Sequence, residues 1–547
     1  MSKKKFKLKK TQNIGAPDAE TDDILFDVFV SIDNLEEIED VKCHKSILIG
    51  RTGTGKSAII KHLLKNCENI TEIAPEAMSL RYLSNSTILS YFKNLGVNLN
   101  LFYKVLWKHV FIVELLKMYF KEEDSFKKDT FFSNLFGVLS KEKKNSKRER
   151  AIKYLEEWSD DFWEKTAYRV QSIENNLQHK FAESLGISAK VLLAKIANEE
   201  SFEEKTTVEV KHKAESIIYE SQATELIDIV DIMKKELFQD YQKKFYIVVD
   251  DLDQDWVGDE LRYELIGAMI EVIKEFRQMK GVKIVICLRE NLNEIVFSGL
   301  TNKGGQREKF KPLFSTLTWD EENLTEFLNK RLKILSSNEL DIKNAFHSAR
   351  RGKITGMDYV LLRTFYRPRD IISYVNHAIE NSNNKDYFTK DILAKAEPSY
   401  SLDRFHALED EWSENYGNLS LICEFLRGIN DGFKLRSLNE DKLADIYLME
   451  EVEVEREFKG DLKRAIVEWK NGNINLQSFL KKLLYILFRV GVIGIKKGPT
   501  YKTAFYYTRE ELVNRNDVTN SSKFYVHPSL YSYFKINTMA QMPEEDI

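Results

Sequence analysis

The sequence predicts an α/β protein: a parallel sheet with a large helical insertion, a helical lid and a C-terminal winged-helix-like domain. Three observations predict it. An apolar run, Ser46-Ile47-Leu48-Ile49, leads into Gly50-Arg51-Thr52-Gly53-Thr54-Gly55-Lys56-Ser57 and then into an amphipathic helix. A second apolar run, Phe245-Tyr246-Ile247-Val248-Val249, ends on Asp250-Asp251-Leu252-Asp253. The last third of the chain reads as helices followed by short alternating or aromatic strands.

The boundaries follow from these landmarks. Residues 1–40 hold a basic tail and an N-terminal segment, and residues 41–335 the sheet domain, with a helical insertion at about 87–241. Residues 336–395 form the helical lid, and residues 396–547 the helical and winged-helix-like domain. Nearly two hundred residues separate the two sheet landmarks, far more than one crossover needs. Within them Ser79-Leu80-Arg81-Tyr82-Leu83 reads as a strand, and Thr87 to Tyr241 as charged amphipathic helices anchored by Trp107, Trp158 and Trp163. Ile24 to Val30 is apolar and too short for periodicity to separate helix from edge strand.

Beyond Asp253 the α/β rhythm resumes. Glu260 to Met279 has helical periodicity, and Val282-Lys283-Ile284-Val285-Ile286-Cys287-Leu288 is a buried strand that ends at Arg289. Glu322 to Ile334 and Thr355 to Ser382 read as helical, with Arg367-Pro368-Arg369-Asp370 placing a proline near a helix start. Leu402 to Arg427 and Asp461 to Val490 are helical in pattern, and Gly491 to Lys497, Thr503 to Thr508 and Lys523 to His527 read as strands. Helices followed by a small β-ribbon suggest a winged helix whose wing would carry Lys496, Lys497 and Lys502.

Composition excludes several classes. The 547 residues carry 43% hydrophobic content and a net charge of −4, so the chain buries proper cores without a global field toward nucleic acid or membrane. The lysine-rich opening and the cluster from Lys141 to Arg150 read as a solvated tail and a solvated helix start. Cys43, Cys67, Cys287 and Cys423 are far apart and form no C-x-x-C pair, which argues against structural zinc and a disulfide framework and fits a cytoplasmic protein. Met1 to Lys10 is too charged to be a secretory signal. Leu99 to Phe120 is interrupted by Lys104, Lys108, His109, Glu114 and Lys117, so it reads as a core helix, with His109 and Glu114 as surface or satisfied core groups.

Residues 50–57 satisfy G-x-x-x-x-G-K-[ST] in the strand-loop-helix context that gives the pattern its meaning. Glycines let backbone N–H groups turn inward on phosphates, the lysine reaches the β/γ-phosphates and the hydroxyl coordinates Mg²⁺. The expected cofactors are therefore ATP and Mg²⁺. The binding set is Gly50, Arg51, Thr52, Gly53, Thr54, Gly55, Lys56, Ser57 and Ala58, with Arg369 reaching from the lid. Ser57 and Asp250 are the metal residues. The catalytic candidates are Lys56, Asp251 to position water and Arg289 to sense the γ-phosphate, although Arg289 equally suits an ion pair with Glu290 or the loops.

The order of these elements resembles the STAND, KAP and AAA+ side of the P-loop NTPases. The long helical insert, the opening Asn13-Ile14-Gly15-Ala16-Pro17-Asp18-Ala19-Glu20 and the segment Leu106-Trp107-Lys108-His109-Val110 resemble bacterial P-loop ATPases associated with DNA repair and phage defence. The resemblance implies a regulatory or motor ATPase of that setting, oligomerisation on ATP, and an arginine finger for which Arg307 and Arg331 are candidates. It departs from the pattern in three places. Asp251 stands where AAA+ enzymes usually carry glutamate, which implies slow turnover; Tyr366-Arg367-Pro368 lacks the STAND Gly-x-Pro glycine; and the membrane helices of KAP proteins are missing. Gly304-Gly305-Gln306 follows the acidic strand, an order that argues against ABC-type heads. Two other readings stay open: a slowly hydrolysing switch that docks a partner effector, and a DNA-binding protein modulated by ATP.

Overall fold

The computed structural model describes residues 6–78, 86–123, 146–158, 175, 177–197, 211–216, 224–302, 307–346, 354, 356–508 and 513–537. The strand expected at Ser79–Leu83, Trp163, Gly304-Gly305-Gln306 and the first half of the Lys141–Arg150 cluster lie outside these residues, as do the side chains of Trp158 and Arg307. The chain divides into two compact units. A sheet unit comprises Asp33–Gly50 and Lys56–Leu317; a helical unit comprises Met1–Ile32, Arg51–Gly55 and Thr318–Ile547.

The sheet unit is a mixed α/β structure on five parallel strands: β1 (Ile47–Gly50), β2 (Asn69–Ile73), β3 (Phe245–Val249), β4 (Val282–Arg289) and β5 (Phe314–Thr316). Their order is β2-β3-β4-β1-β5, every neighbouring pair parallel. β1, β3 and most of β4 are buried on both faces, which is why they are legible as continuous apolar runs. β2 lies at the edge, reads Asn-Ile-Thr-Glu-Ile, and is buried only at Ile73. Parallel strands share one carboxyl edge, where ligands bind in open α/β sheets. At that edge β1 delivers Gly50, β3 delivers Asp250 and β4 delivers Arg289, with Gly50 and Arg289 in register.

Helix α1 (Lys56–Asn66) follows β1 and buries Ile59, Ile60 and Leu63. Between β2 and β3 the described residues are mainly helical. The longest helix, α2 (Asn100–Glu123), lies along α3 (Asp259–Phe276). Trp107 Nε1 donates to the Leu265 carbonyl at 2.9 Å, Lys108 pairs with Glu275 at 2.7 Å, and Trp107 meets Trp256 edge to face. His109 is buried against the Tyr154 hydroxyl and Glu114 pairs with Lys117. No helix among the described residues is long and apolar enough to cross a membrane.

In the helical unit, α4 (Glu321–Leu335), α5 (Pro368–Glu380) and α6 (Lys390–Tyr416) build one core around Leu328, Tyr374 and Tyr400. A second core surrounds α7 (Gly460–Lys470) and α8 (Leu476–Val490). It includes an antiparallel sheet of β6 (Phe433–Lys434), β7 (Ile493–Lys496) and β8 (Lys523–Val526), in the order β6-β8-β7.

Several expected elements end elsewhere. The helix expected from Leu402 starts earlier, where Thr389 caps α6, and stops at Gly417, whose φ is 79°. The run Asp461–Val490 is two helices, separated by Gly472 and by Asn475, which caps α8. Thr355–Ser382 breaks between Leu361 and Pro368, where Tyr366 adopts φ 52°. Thr503–Thr508 contributes only an isolated bridge, Ala504 to Ile495, before a turn closed on the Phe505 carbonyl. Ile24–Val30 forms turns, neither helix nor strand.

Gly281 shows how tightly the start of β4 is set. Its φ is 71°, and an added Cβ would lie 2.2 Å from the Lys243 carbonyl oxygen and 2.5 Å from that of Asp240. Gly281→Ala is expected to cost about 1–3 kcal/mol from backbone strain alone. The check is thermal melting, where each kcal/mol moves the midpoint by roughly 2–4 °C.

Candidate functional site

In the sheet unit, the first turn of α1 and the ends of β3 and β4 bring charged groups together. Lys56 Nζ donates to the Gly50 carbonyl at 3.0 Å. Burial pulls the Lys56 ammonium below the usual lysine range; Arg289 pushes the same way, and Asp250 and Asp253 oppose it. The Ser57 hydroxyl and the Asp251 N–H both hydrogen-bond the Asp250 carboxylate, yet burial still raises that carboxylate above its ordinary range. Cys287 donates its thiol to Asp250, and burial keeps that thiol protonated by pushing it well above the usual value.

Asp251 is exposed and sits in the left-handed region at φ 56°. Asp250 faces the Ser57 hydroxyl, while Asp251 is turned to solvent. Arg289 is paired with Asp253, the last acid of the same turn. Ala58 lies in the first turn of α1 and is half-buried. Among the described residues no group of three or more His, Cys, Asp or Glu could hold a metal by itself. One carboxylate and one hydroxyl side by side suit Mg²⁺, which keeps several waters and takes further oxygens from a phosphate.

In the helical unit, residues 51–55 are gripped from several directions. Arg51 is buried, and its Nε and Nη2 each lie 3.2 Å from one oxygen of Glu411 on α6. Nη2 also donates to the Val490 carbonyl at 2.6 Å, and the guanidinium lies between the Phe365 and Trp412 rings. The Thr52 N–H donates to Glu411 at 3.1 Å, and the Thr52 carbonyl accepts from Arg367 at 2.8 Å. The Gly53 carbonyl accepts the Arg369 N–H at 3.3 Å, and the Thr54 carbonyl accepts Trp319 Nε1 at 2.8 Å. Gly53 and Gly55 have φ of 81° and 97°, and among the described residues their N–H groups meet no acceptor. With the Thr52, Gly53 and Thr54 carbonyls occupied and the Gly53 and Gly55 N–H groups not, the loop can turn those N–H groups on an anion.

Arg369 itself lies over Gly53, where an added Cβ would fall 2.6 Å from its Cβ, and its guanidinium pairs with Asp18 and the Pro17 carbonyl. Arg367, its neighbour, does not point outward. It is buried and divided between Asp370, Glu411 and the Thr52 carbonyl. Arg331 is unsuited to act as a finger, because it is buried against Asp22 and the Ile14 carbonyl. Lys496, expected on a wing, is buried on β7.

Sequence reasoning missed Glu411, Trp319, Asp18 and Cys287. Glu411 left one usable signal: it shares a helix face with Phe405, Leu408 and Trp412, all buried, so an acid stands where an apolar residue belongs. Compared with protein-family models, residues 322–409 match the FunZ-associated C-terminal helical domain, a segment that runs from α4 through most of α6. No curated protein matches the chain.

Glu411 is held far below its ordinary range, to about 2: burial opposes this, and Arg51 and Arg367 outweigh it, helped by hydrogen bonds from Arg51 and Thr52. A carboxylate lowered on folding stabilises the protein above its unfolded value of 4.5 and loses that contribution as pH falls toward about 2. Melting of the wild type between pH 5 and 2 should therefore drop steeply. Glu411→Gln should melt lower at neutral pH and lose much of that slope.

Proposed function

We propose that the protein is a Mg²⁺-dependent ATP-binding and hydrolysing protein, slow in turnover. The observation that carries the reading is the combination at the Gly50–Ser57 loop: two glycines at positive φ, a half-buried lysine, and a serine hydroxyl hydrogen-bonded to a strand-end carboxylate. The strand order supports it, since the loop strand and the acidic strand both end at the carboxyl edge, one strand apart. The residues fit the cofactor. Gly53 and Gly55 would offer N–H groups to phosphate, Lys56 would gain the anion its burial calls for, and Ser57 and Asp250 would hold Mg²⁺.

The metal, when bound, neutralises charge on the transferred phosphoryl group. Asp251 would orient water, and Arg289 would sense the γ-phosphate after exchanging Asp253 for it. Arg369, from the lid, would do the same after leaving Asp18. Adenine is preferred on the resemblance to STAND and AAA+ proteins, as is a regulatory or motor role in bacterial DNA repair or anti-phage defence.

The slowly hydrolysing switch that docks an effector is favoured over a fast motor by two observations: the short Asp251 side chain is exposed, and Arg289 is tied to Asp253. Modulated DNA binding is less supported, because Lys496 is buried and Lys497 lies over the Tyr501 ring.

The test is steady-state phosphate release with ATP and Mg²⁺, paired with equilibrium ATP binding, with and without double-stranded DNA. Lys56→Ala should lose roughly a hundredfold or more of turnover, and Asp251→Asn should lose turnover while still binding ATP. Unchanged turnover in Lys56→Ala would sink the assignment. Stimulation by DNA would move the reading from switch to motor.

A further inference from the structure

We infer that Glu411 is a positioning residue of the proposed nucleotide site, setting the shape of the loop through Arg51 and Thr52; this rests on the ATP-binding reading above. Glu411 stands 360 residues from Arg51 in sequence, yet it is the hub of the loop's first two residues. Its carboxylate takes both donors of the Arg51 fork, the Thr52 N–H and one donor of Arg367. Arg367 then binds the Thr52 carbonyl, so one ion pair holds the peptide on each side of Thr52: Arg51–Thr52 through its N–H and Thr52–Gly53 through its carbonyl.

Geometry alone does not require charge here, because apolar residues of similar volume usually stabilise a core as well as a buried ion pair does. Charge does supply direction. A bidentate fork fixes the rotation of Arg51, the carboxylate holds the Arg51–Thr52 peptide through the Thr52 N–H, and the Arg367 it pairs with holds the Thr52–Gly53 peptide through the Thr52 carbonyl. The next residue is Gly53, whose N–H and positive φ begin the anion cradle. Tilting the Thr52 peptide would tilt that cradle.

Electrostatics points the same way. The buried cluster holds three guanidiniums, Arg51, Arg367 and Arg404, against two carboxylates, Glu411 and Asp370. His527, tilted against Phe365 with ring centres 4.3 Å apart, is driven far below its usual range by burial and adds no charge. One positive charge is left over beside the loop, and Arg367 Nη2 and Arg404 Nε are buried without hydrogen-bond partners. An anion on the loop offsets that surplus. Losing Glu411 would unbalance the cluster further and free the loop at once.

The experiment compares wild type, Lys56→Ala, Glu411→Gln and the double variant Arg51→Met/Glu411→Leu, using a fluorescent ATP analogue with Mg²⁺, turnover and melting with and without ATP. The double variant removes the clamp without changing the net charge of the cluster, and Arg367 keeps Asp370, so it keeps the test open where Glu411→Gln fails to fold. Folded Glu411 variants should bind the analogue about tenfold or more weakly, within the usual range of coupling between groups. They should lose the ATP-induced rise in melting temperature while keeping a cooperative melt. Wild-type affinity in a folded variant overturns the inference, while loss of binding in Lys56→Ala shows that the ATP reading itself stands. Failure of wild type to bind ATP removes both. Where neither Glu411 variant folds, hydrogen exchange of the wild-type protein decides: ATP must slow exchange at 51–55 and in α6 around Glu411, and unchanged exchange in α6 overturns the inference.

Discussion

The carboxylate of Glu411, buried between two guanidiniums, is the constraint on which the helical unit is arranged. From the body of α6 its network reaches three other places in the chain: the loop at Arg51 and Thr52, the start of α5 at Arg367, and through Arg51 the end of α8 at Val490. Removing one member of such a cluster leaves a charge without its counterpart in a low-dielectric interior, which costs more than the pair itself contributes. The backbone is drawn into the same arrangement. Tyr366 is held at φ 52° while Asp370 accepts the Phe365 N–H at 2.8 Å and the Arg367 Nε at 3.1 Å. Pro368 then starts α5 where its missing N–H costs nothing.

The sheet unit has the opposite electrostatic character. In the helical unit, strong pairing keeps Glu411 ionised against burial; at the sheet's carboxyl edge, burial outweighs the pairing of Lys56 and Asp250 and biases each toward its neutral form. Groups held in this way are poised to gain from a ligand. On the proposed reading, phosphate beside Lys56 and a divalent cation beside Asp250 would each favour the charged form that burial opposes. The helical unit holds residues 51–55 chiefly through ion pairs, whereas at the sheet's carboxyl edge burial prevails over pairing.

The sheet was legible wherever burial on both faces forced a continuous β-branched run, as at Ile47–Ile49, Phe245–Val249 and Val282–Leu288. β2 was not, because an edge strand tolerates Asn69, Thr71 and Glu72. The Gly50–Ser57 loop and the acid after β3 could be read because their chemistry is local in sequence. The network that holds the loop could not, since an arginine after Gly50 and a glutamate in a charged helix each look solvated, and only folding shows them to be buried together. Arg367 and Arg369 show the same limit. Two arginines flanking one proline carry the same pattern signal, yet one is sealed in the core and the other lies across Gly53 with Asp18.

Arginine at position 51 is doing what lysine cannot. Its Nε and Nη2 engage both oxygens of one carboxylate, Nη2 also reaches a carbonyl, and the flat guanidinium fits between Phe365 and Trp412. A lysine ammonium would keep the charge and lose the plane, leaving the Thr52 peptide free to rotate about a single point contact. The segment similar to the FunZ-associated helical domain, residues 322–409, contains Arg367, Asp370 and Arg404 but ends before Glu411 and Val490. The physical unit that holds the loop is therefore larger than the segment of sequence similarity. Its closing carboxylate lies two residues past that segment's end, and the carbonyl that completes the Arg51 site follows in α8, next to Gly491, where an added Cβ would lie 2.9 Å from Arg51 Nη1. Gly491 is required first by its own backbone, which ends α8 in the left-handed region at φ 98°, and the close approach of Arg51 adds to that demand.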